Sequence, residues 1–563
     1  MCGVAALGAA GCGDDDGSPD PEPIECVGEI DVPDEALRQV LLDVIGTAPP
    51  SGETDTDGEP VEPETDGEPV LVIEAERLAT LEGLKANAAG IKSLRGLECA
   101  TGLVTLGLAD NEFTDIQPLS YLTQLRELEL SNNAIEDLEP LRELEQLEKL
   151  VIAVTGTTEL EPIGSLRALR HLDISSNGLS DIGPLAQLTA LESLVAANNA
   201  ISDLEPLAGL GEVFALNLSR NDIVELGPLA PLTGLEYLDL DNNAIQSLQP
   251  LAGLSALRDL EASHNAIVSM QGVGGKPLLL ELSLEDNLIS VIEATAGLDA
   301  LITLDLEQNL ISDLGAVGSL SSLVTLFLRE NQVSDLGPVA GLMWLRRLDA
   351  RDNPQLEDFG PVAALPSLDY FGAGGGFLNH DLTALANLEF LRQLELPRSA
   401  TLDYAPLANI ETLRVLTLSE SLVDPMSIGG IAGIPGLETL NLADTGISDV
   451  TELAPLQTIE TLILSGSEVN SLAPFVPFPQ LRTLGLSRTS VTSIEGVADL
   501  AKIGNIDLSE TNLDSLAPLV PFIAFRSGDI IRVKSTQISD NDCPDIKALR
   551  ERDVVVDTDI SCP

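Results

Sequence analysis

Leu106-Gly-Leu108-Ala-Asp-Asn111 and Leu128-Glu-Leu130-Ser-Asn-Asn133 are two copies of one phrase, Leu-x-Leu-x-x-Asn, set 22 residues apart. The asparagine of the phrase returns at this interval through the middle of the chain, and only Thr155 interrupts it. Its positions are Asn111, Asn133, Asn177, Asn199, Asn221, Asn243, Asn265, Asn287, Asn309, Asn331 and Asn353. Such a period is typical of stacked small units, none of which can bury its apolar face alone. The stretch therefore predicts a repeat solenoid, whose function lies on its surface rather than in a deep pocket.

Each unit can be interpreted position by position. In Leu128-Glu-Leu130 the alternation places both leucines inward and Glu129 outward on a short strand. Asn133 is expected to bond the backbone of its own and the neighbouring unit, so that stacked copies form a buried ladder. A proline such as Pro140 recurs seven residues after the ladder position and suits the start of a short helical turn. About ten residues remain for the far side, which favours 3-10 or extended structure over a full α-helix.

The composition is strongly acidic, with 90 acidic against 29 basic side chains and a net charge of −61. This sign of charge argues against nucleic acid as a partner, and also against anionic membrane surfaces. A basic or cationic partner is favoured instead.

The full pattern, Leu-x-Leu-x-x-Asn-x-Ile-x-Asp-Leu-x-Pro-Leu, resembles the 22-residue class of leucine-rich repeats, including the internalins and the Sds22-type phosphatase regulators. The resemblance covers residues 84–519, which is about twenty repeats. It implies an α/β repeat solenoid, a horseshoe or arc with a parallel β-sheet on its concave side and 3-10 or extended segments on its convex side. It also implies a concave face that binds another macromolecule.

Residues 1–12 resemble the signal and lipobox of a bacterial lipoprotein. Met1 to Gly11 is small and apolar, and Cys12 follows Ala9-Ala10-Gly11. The resemblance implies that Cys12 is acylated, which would make the protein an exported, lipid-anchored component of a bacterial envelope or cell surface. The alternative is an ordinary alanine- and glycine-rich tail. Residues 13–29, which are acidic and contain prolines, predict a solvated tether.

Four cysteines remain once Cys2 and Cys12 are set aside: Cys26, Cys99, Cys543 and Cys562. An exported chain permits disulfides, and four cysteines allow three pairings. The pairing Cys543–Cys562 is favoured because it would close an 18-residue loop, and Cys26–Cys99 would then brace the other end. Free buried thiols are the alternative.

Both ends of the repeat region predict caps. Residues 30–83 contain helical apolar spacing from Glu35 to Ile45, with Asp34 placed to cap the first turn. The acidic insertion 46–69 has carboxylates spaced nearly as in a calcium-binding EF-hand loop, but disorder is favoured there. Residues 520–563 predict a C-terminal cap with a strand near Ile530–Val533 and a helix near Asp545–Glu551.

The repeat phrase breaks down over residues 354–398, which include Phe371-Gly-Ala-Gly-Gly-Gly376. Beyond this segment the ladder position carries a hydroxyl, at Ser399, Ser421, Thr445, Ser467, Thr489 and Thr511. A hydroxyl reaches less far than an amide and has one donor instead of two. A continuous solenoid that changes twist or curvature near residues 371–376 is favoured over two solenoids joined by a hinge.

Outward positions on successive strands of the expected concave face carry acidic and then basic side chains. These residues are Tyr237, Asp239, Asp241, Asp259, Glu261, Glu281, Glu285, Asp305, Glu307, Phe327, Arg329, Arg347 and Arg351. Neighbouring strands lie about 4.8 Å apart, so the carboxylates would form one patch. Like charges in register cost stability, while arginine and aromatic residues are enriched in interface hot spots. A partner-binding strip is therefore favoured over a merely solvated face.

No motif predicts a catalytic residue, a metal site or a cofactor, since the three histidines lie in different repeats without an accompanying nucleophile or ligand cluster. The sequence thus favours a non-enzymatic, monomeric protein that holds a protein or glycan ligand. An intracellular Sds22-like regulatory scaffold and a structural spacer of the envelope are the alternatives.

Overall fold

The computed structural model describes residues 25–45, 72–292, 295–424, 427–471, 478–495, 500–521 and 525–562. The chain divides into two compact units, Met1–Asn177 and Gly178–Pro563. Within each unit, successive coils contribute a three-residue strand to a parallel sheet and a 3-10 or irregular segment to the opposite side. This confirms the predicted leucine-rich-repeat solenoid fold.

In the first unit, each strand pairs with the next so that the central leucines align, as Leu84 does with Leu106. Its strands are β1 Gly83–Lys85, β2 Thr105–Gly107, β3 Glu127–Glu129, β4 Lys149–Val151 and β5 His171–Asp173.

In the second unit, the same in-register parallel pairing continues from β6 to β22. Its strands are β6 Ser193–Val195, β7 Ala215–Asn217, β8 Tyr237–Asp239, β9 Asp259–Glu261, β10 Glu281–Ser283, β11 Thr303–Asp305, β12 Thr325–Phe327, β13 Arg347–Asp349, β14 Tyr370–Gly372, β15 Gln393–Glu395, β16 Val415–Thr417, β17 Thr439–Asn441, β18 Thr461–Ile463, β19 Thr483–Gly485, β20 Asn505–Asp507, β21 Ile530–Arg532 and β22 Val555–Asp557.

The side of each coil opposite the strand is mostly 3-10 helix, as its length predicted. Proline occupies the first or second position of many of these segments, where its missing N–H costs nothing. The 3-10 segments are Leu97–Cys99, Gln117–Tyr121, Glu139–Leu141, Ile163–Ser165, Gly183–Gln187, Glu205–Leu207, Gly227–Leu229, Gln249–Gly253, Gly315–Ser319, Gly337–Gly341, Gly360–Ala364, Leu382–Asn387, Ala405–Asn409, Thr451–Leu453, Ala517–Leu519 and Asp540–Asp542. The α-helices are α1 Glu35–Ile45, α2 Ala75–Leu78, α3 Ile428–Ile431 and α4 Cys543–Arg550.

The asparagine ladder joins consecutive coils. Asn309 donates from Nδ2 to Leu306 O of its own coil at 3.2 Å and to Leu284 O of the preceding coil at 2.9 Å. Its Oδ1 accepts from Ile289 N at 2.9 Å. The residue before it, Gln308, has φ +52°, and this turns the chain off the strand. Each such amide therefore satisfies backbone groups of two coils at once.

The hydroxyl side chains at the ladder position form fewer hydrogen bonds to the neighbouring coil than the asparagines do. Thr445, Thr489 and Thr511 each donate to a carbonyl three residues earlier in the same coil, at 2.6–2.7 Å. Ser421, by contrast, donates to Leu396 O of the preceding coil at 3.0 Å. Within the described residues, the threonine coils therefore lack the side-chain bridge that an asparagine supplies.

The irregular segment 354–398 stays in the sheet of the second unit, because β14 pairs in register with both β13 and β15. Glycine is required there for close approach. A Cβ on Gly374, whose φ is +102°, would lie 2.3 Å from Pro397 O. A Cβ on Gly372 would lie 2.8 Å from an Asp349 carboxylate oxygen.

Both ends are tied to the stack as the sequence favoured. Asp34 accepts from Leu37 N in α1, and its other oxygen accepts from Lys92 N and Ser93 N. Disulfides join Cys26 to Cys99 and Cys543 to Cys562. The predicted C-terminal strand and helix are β21 and α4. Among the described helices, none combines the length and apolarity needed to cross a bilayer.

Candidate functional site

The residues of the predicted strip lie on strands β8–β13 of the second unit or two residues after these strands end. We call this surface the open face. The first position of each strand forms one column, in which Tyr237 neighbours Asp259 and Asp259 neighbours Glu281. The third position forms a second column, in which Asp239 neighbours Glu261. The parallel register therefore brings these carboxylates together although they are far apart in sequence.

A shallow hollow of about 230 Å³ lies beside this group, and we call it the β6–β9 hollow. Its lining includes residues of β6 and β7, such as Val195 and Ala215. It also includes Tyr237, Asp239, Asp259 and Glu261. The Tyr237 side chain is 46% exposed, so its ring is available to a ligand. The hollow combines apolar side chains, the polar residues Ser193 and Asn217, an aromatic ring and three carboxylates.

The carboxylates around the hollow are crowded and lack cationic partners. Among the described residues, no lysine or arginine forms an ion pair with Asp239, Asp259 or Glu261. Partial burial, reinforced by Asp239, Asp259 and other neighbours, raises the pKa of Glu261 to about 7. Burial and then Glu281 and Asp239 raise the pKa of Asp259. A cation brought to this surface would therefore relieve unfavourable charge that the fold already holds.

One oxygen atom from each of Asp239, Asp241 and Glu261 lies within 4.8 Å of the other two. This spacing would admit a cation, but exposed acidic groups commonly approach one another without one. We therefore take the spacing as a measure of crowding.

A second acidic group lies on the following strands. Burial, with Glu285 and Asp349 nearby, raises the pKa of Asp305 to about 6. Burial, followed by Asp305, raises the pKa of Glu307 to about 7. In the third-position column Ser283 lies between Glu261 and Asp305, while burial and, with it, Glu285 raise the pKa of both Asp241 and Asp305.

The arginines that follow are engaged within the protein. Arg351 pairs with Asp349 at 2.5 Å and with Glu395 at 2.6 Å. Arg329 pairs with Glu330 at 2.7 Å and with Asp352 at 3.1 Å. The guanidinium of Arg347 lies 4.2 Å from the Tyr370 ring centroid. Phe327 stands between these arginines and the carboxylates, half-buried. The basic end of the strip is therefore largely neutralised in the free protein.

Sequence reasoning missed the partners that neutralise these arginines. Asp349 is only 2% exposed, and the Tyr370 hydroxyl donates to its Oδ2 at 3.2 Å. This packing depends on Gly372, whose missing side chain leaves room for the Asp349 carboxylate. The glycine-rich segment is the feature of the sequence that could have indicated this packing. Its effect on the neighbouring strand can be recognised only when the register of the two strands is known.

Other residues singled out from the sequence lie elsewhere. Cys12 and the EF-hand-like carboxylates fall outside the described residues. His264 contacts Asp286 at 2.9 Å at the edge of the open face. His380 is buried and stacks on Phe359 with 4.4 Å between ring centroids.

Several known leucine-rich-repeat families and structures resemble this chain. Models of leucine-rich repeats match residues 101–143, 167–209 and 215–267. No curated protein matches the chain. Among solved structures, the plant peptide hormone receptor RGFR1 in complex with RGF2 is 18% identical, with 83% of this chain and 88% of that chain covered and a TM-score of 0.50. The TLR13–ssRNA13 complex is 20% identical, with 74% and 62% covered and a TM-score of 0.52.

An internalin (inlF) from Listeria monocytogenes is 23% identical, with 76% of this chain and 95% of that chain covered and a TM-score of 0.36. At these identities the solved structures with the higher TM-scores indicate the fold and not the ligand. The repeat models and the observed coils agree on the same residues. The chain therefore contains leucine-rich repeats, and its units share the fold of leucine-rich-repeat solenoids.

Proposed function

We propose that this protein is a non-enzymatic binding scaffold of the bacterial cell envelope, and that its open face holds a basic segment of a partner protein. The observation that carries the proposal is the group of carboxylates around the β6–β9 hollow, which are crowded, partly buried and without cationic partners among the described residues. Complementary charge would speed the encounter with a basic partner and fix its position.

The hollow suggests how such a segment is held. The aliphatic stem of a lysine or arginine fits against Val195 and Ala215, and its charged end then reaches Asp239 and Glu261. The exposed Tyr237 ring offers a cation–π contact to the same group. The arginines at the far end of the strip already pair with carboxylates of this chain, so we do not include them in the partner-binding surface. We propose instead that they hold strands β12–β15 together.

The test is the binding of an oligolysine peptide to the full chain, measured by isothermal titration calorimetry at low ionic strength. The double variant Asp239→Asn/Glu261→Gln should weaken binding about tenfold, because it removes two charge-assisted contacts. Added salt should weaken the binding of the parent protein in the same direction.

Asp507→Asn is the matched control. Asp507 occupies the third position of β20, and its Oδ1 accepts from Ser509 N at 3.0 Å, as Asp239 accepts from Asp241 N at 3.0 Å. The proposal fails if the control weakens binding as much as the double variant does, or if an oligoglutamate peptide binds equally well.

Envelope location is proposed from the lipobox-like residues and is supported by the two disulfides, which persist in oxidising compartments. Replacing Cys12 with alanine should move the expressed protein from the membrane fraction to the soluble fraction, since a lipid anchor attached there would be lost. Immunoblots of the two fractions measure this. An unchanged distribution would favour the intracellular scaffold or an anchor of another kind.

A further inference from the structure

A second hollow lies in the second unit, on the flank of the sheet where β19–β21 begin. We call it the Gly504 hollow. Its volume is about 400 Å³. Its lining includes Arg482, Lys502, Gly504, Asn505, Arg526 and Asp529. Three cationic side chains thus surround one opening in a protein whose net charge is −61.

Gly504, which has no side chain, lies beside Arg482 in the row of residues that precede the strands. Elsewhere on this flank, an arginine pairs with the acidic residue of an adjacent coil, as Arg258 does with Glu236 of the preceding coil at 2.9 Å. Arg482 has Glu460 on one side at 3.4 Å, but Gly504 on the other. Gly504 N donates to Arg482 O at 2.9 Å, which places the two residues side by side. Arg482 and Gly504 therefore line the hollow together.

The single carboxylate in the hollow is used by the chain itself. Asp529 Oδ2 accepts from Arg526 N at 2.6 Å within a turn. The Asp529 Oδ1 atom packs against Gly504, where a Cβ would lie only 2.7 Å away. Asp529 is thereby held in place by the turn and by Gly504, beside the cationic side chains that line the hollow.

Two of the three cations carry no ion pair with any residue that the structure describes. Lys502 Nζ donates to the neutral Gln480 Oε1. The Arg526 side chain is exposed and forms no hydrogen bond or ion pair with the described part of the chain. These groups, together with the Asn505 amide, are hydrogen-bond donors of the kind that bind oxyanions.

We infer that the Gly504 hollow binds an oxyanion, namely a phosphate, sulfate or carboxylate group of a ligand. The site is separate from the open face proposed for a basic partner, and it selects the opposite charge. Because the acidic surface elsewhere repels anions, saturable anion binding by this protein would require a local cationic site.

Isothermal titration calorimetry of the full chain with inorganic phosphate at low ionic strength tests the inference. Saturable binding at one site is expected, and Arg526→Gln and Lys502→Gln should each weaken it about tenfold. Lys547→Gln, which removes an exposed cation from α4, is the matched control and should leave the affinity unchanged. Circular dichroism verifies that each variant is folded.

Parallel titrations with sulfate and galacturonate distinguish the sources of the oxyanion. Tighter binding of phosphate or sulfate indicates a phosphoryl or sulfate ligand, whereas tighter binding of galacturonate indicates an acidic sugar. Absence of saturable heat for all three anions overturns the inference. Equal loss of affinity in the Lys547→Gln variant overturns it as well.

Discussion

At the scale of the residue, the clearest departure from the repeat pattern is Lys276. It lies 22 residues after Leu254, at a position of the coil that leucine usually fills, and its side chain is fully buried. Its Nζ donates to Leu251 O at 2.9 Å and Gly272 O at 2.7 Å, and burial lowers its pKa to about 8. The charged form is therefore disfavoured in the folded state, although two carbonyls partly compensate it.

We expect Lys276→Met to raise the free energy of unfolding at pH 7 by about 2–3 kcal/mol. The pKa of Lys276 is lower in the folded state than its ordinary value of 10.5, so burial of the charged lysine destabilises the fold by its full amount below pH 8. This destabilisation decreases as the pH rises toward 10.5, and the stability advantage of the variant should decrease with it. Urea unfolding at several pH values, followed by circular dichroism, measures the difference. If the stability advantage of the variant does not depend on pH, then the packing of Lys276, and not its charge, accounts for the difference.

At the scale of the element, the two halves of the ladder differ in what each coil gives its neighbour. Asn309 serves the backbone of two coils, whereas Thr489 serves only its own. Asn309→Ala should therefore cost about 3 kcal/mol, and Thr489→Val about 1 kcal/mol, because fewer buried groups lose a partner in the second case. Urea unfolding compares the variants, and hydrogen exchange at Ile289 N–H localises the first effect. Comparable losses in both variants would contradict this account.

At the scale of the whole molecule, the crowded carboxylates should make stability depend on pH. The pKa values of Glu261 and Glu307 are raised to about 7, above the ordinary 4.5. Their charged forms are thus disfavoured in the fold, and stability should rise as the pH falls from 8 toward 6.5. Below this window the buried His380, whose pKa is lowered by burial, acts in the opposite direction.

Differential scanning calorimetry between pH 8 and 6.5 measures this trend. Glu261→Gln/Glu307→Gln should flatten it and raise Tm at pH 8, since the repelling charges are gone. If Tm instead falls on acidification in this window, the pKa values of these carboxylates are not raised in the folded protein.

The sequence by itself determined the fold class, because a 22-residue period with inward leucines leaves stacked coils as the way to bury them. It also placed the 3-10 segments, the cap helix from Glu35 to Ile45, and the positions of the ladder. These features depend on the spacing of residues along a short stretch of chain.

Only the tertiary structure decided how side chains from different coils meet. It placed Arg351 against Glu395, Gly504 beside Arg482, and the Nζ of Lys276 against the Leu251 carbonyl. Each of these results depends on the lateral register of neighbouring coils. The physical reason is that charge and packing are properties of neighbours in space, and those neighbours lie 22 or more residues apart in the chain.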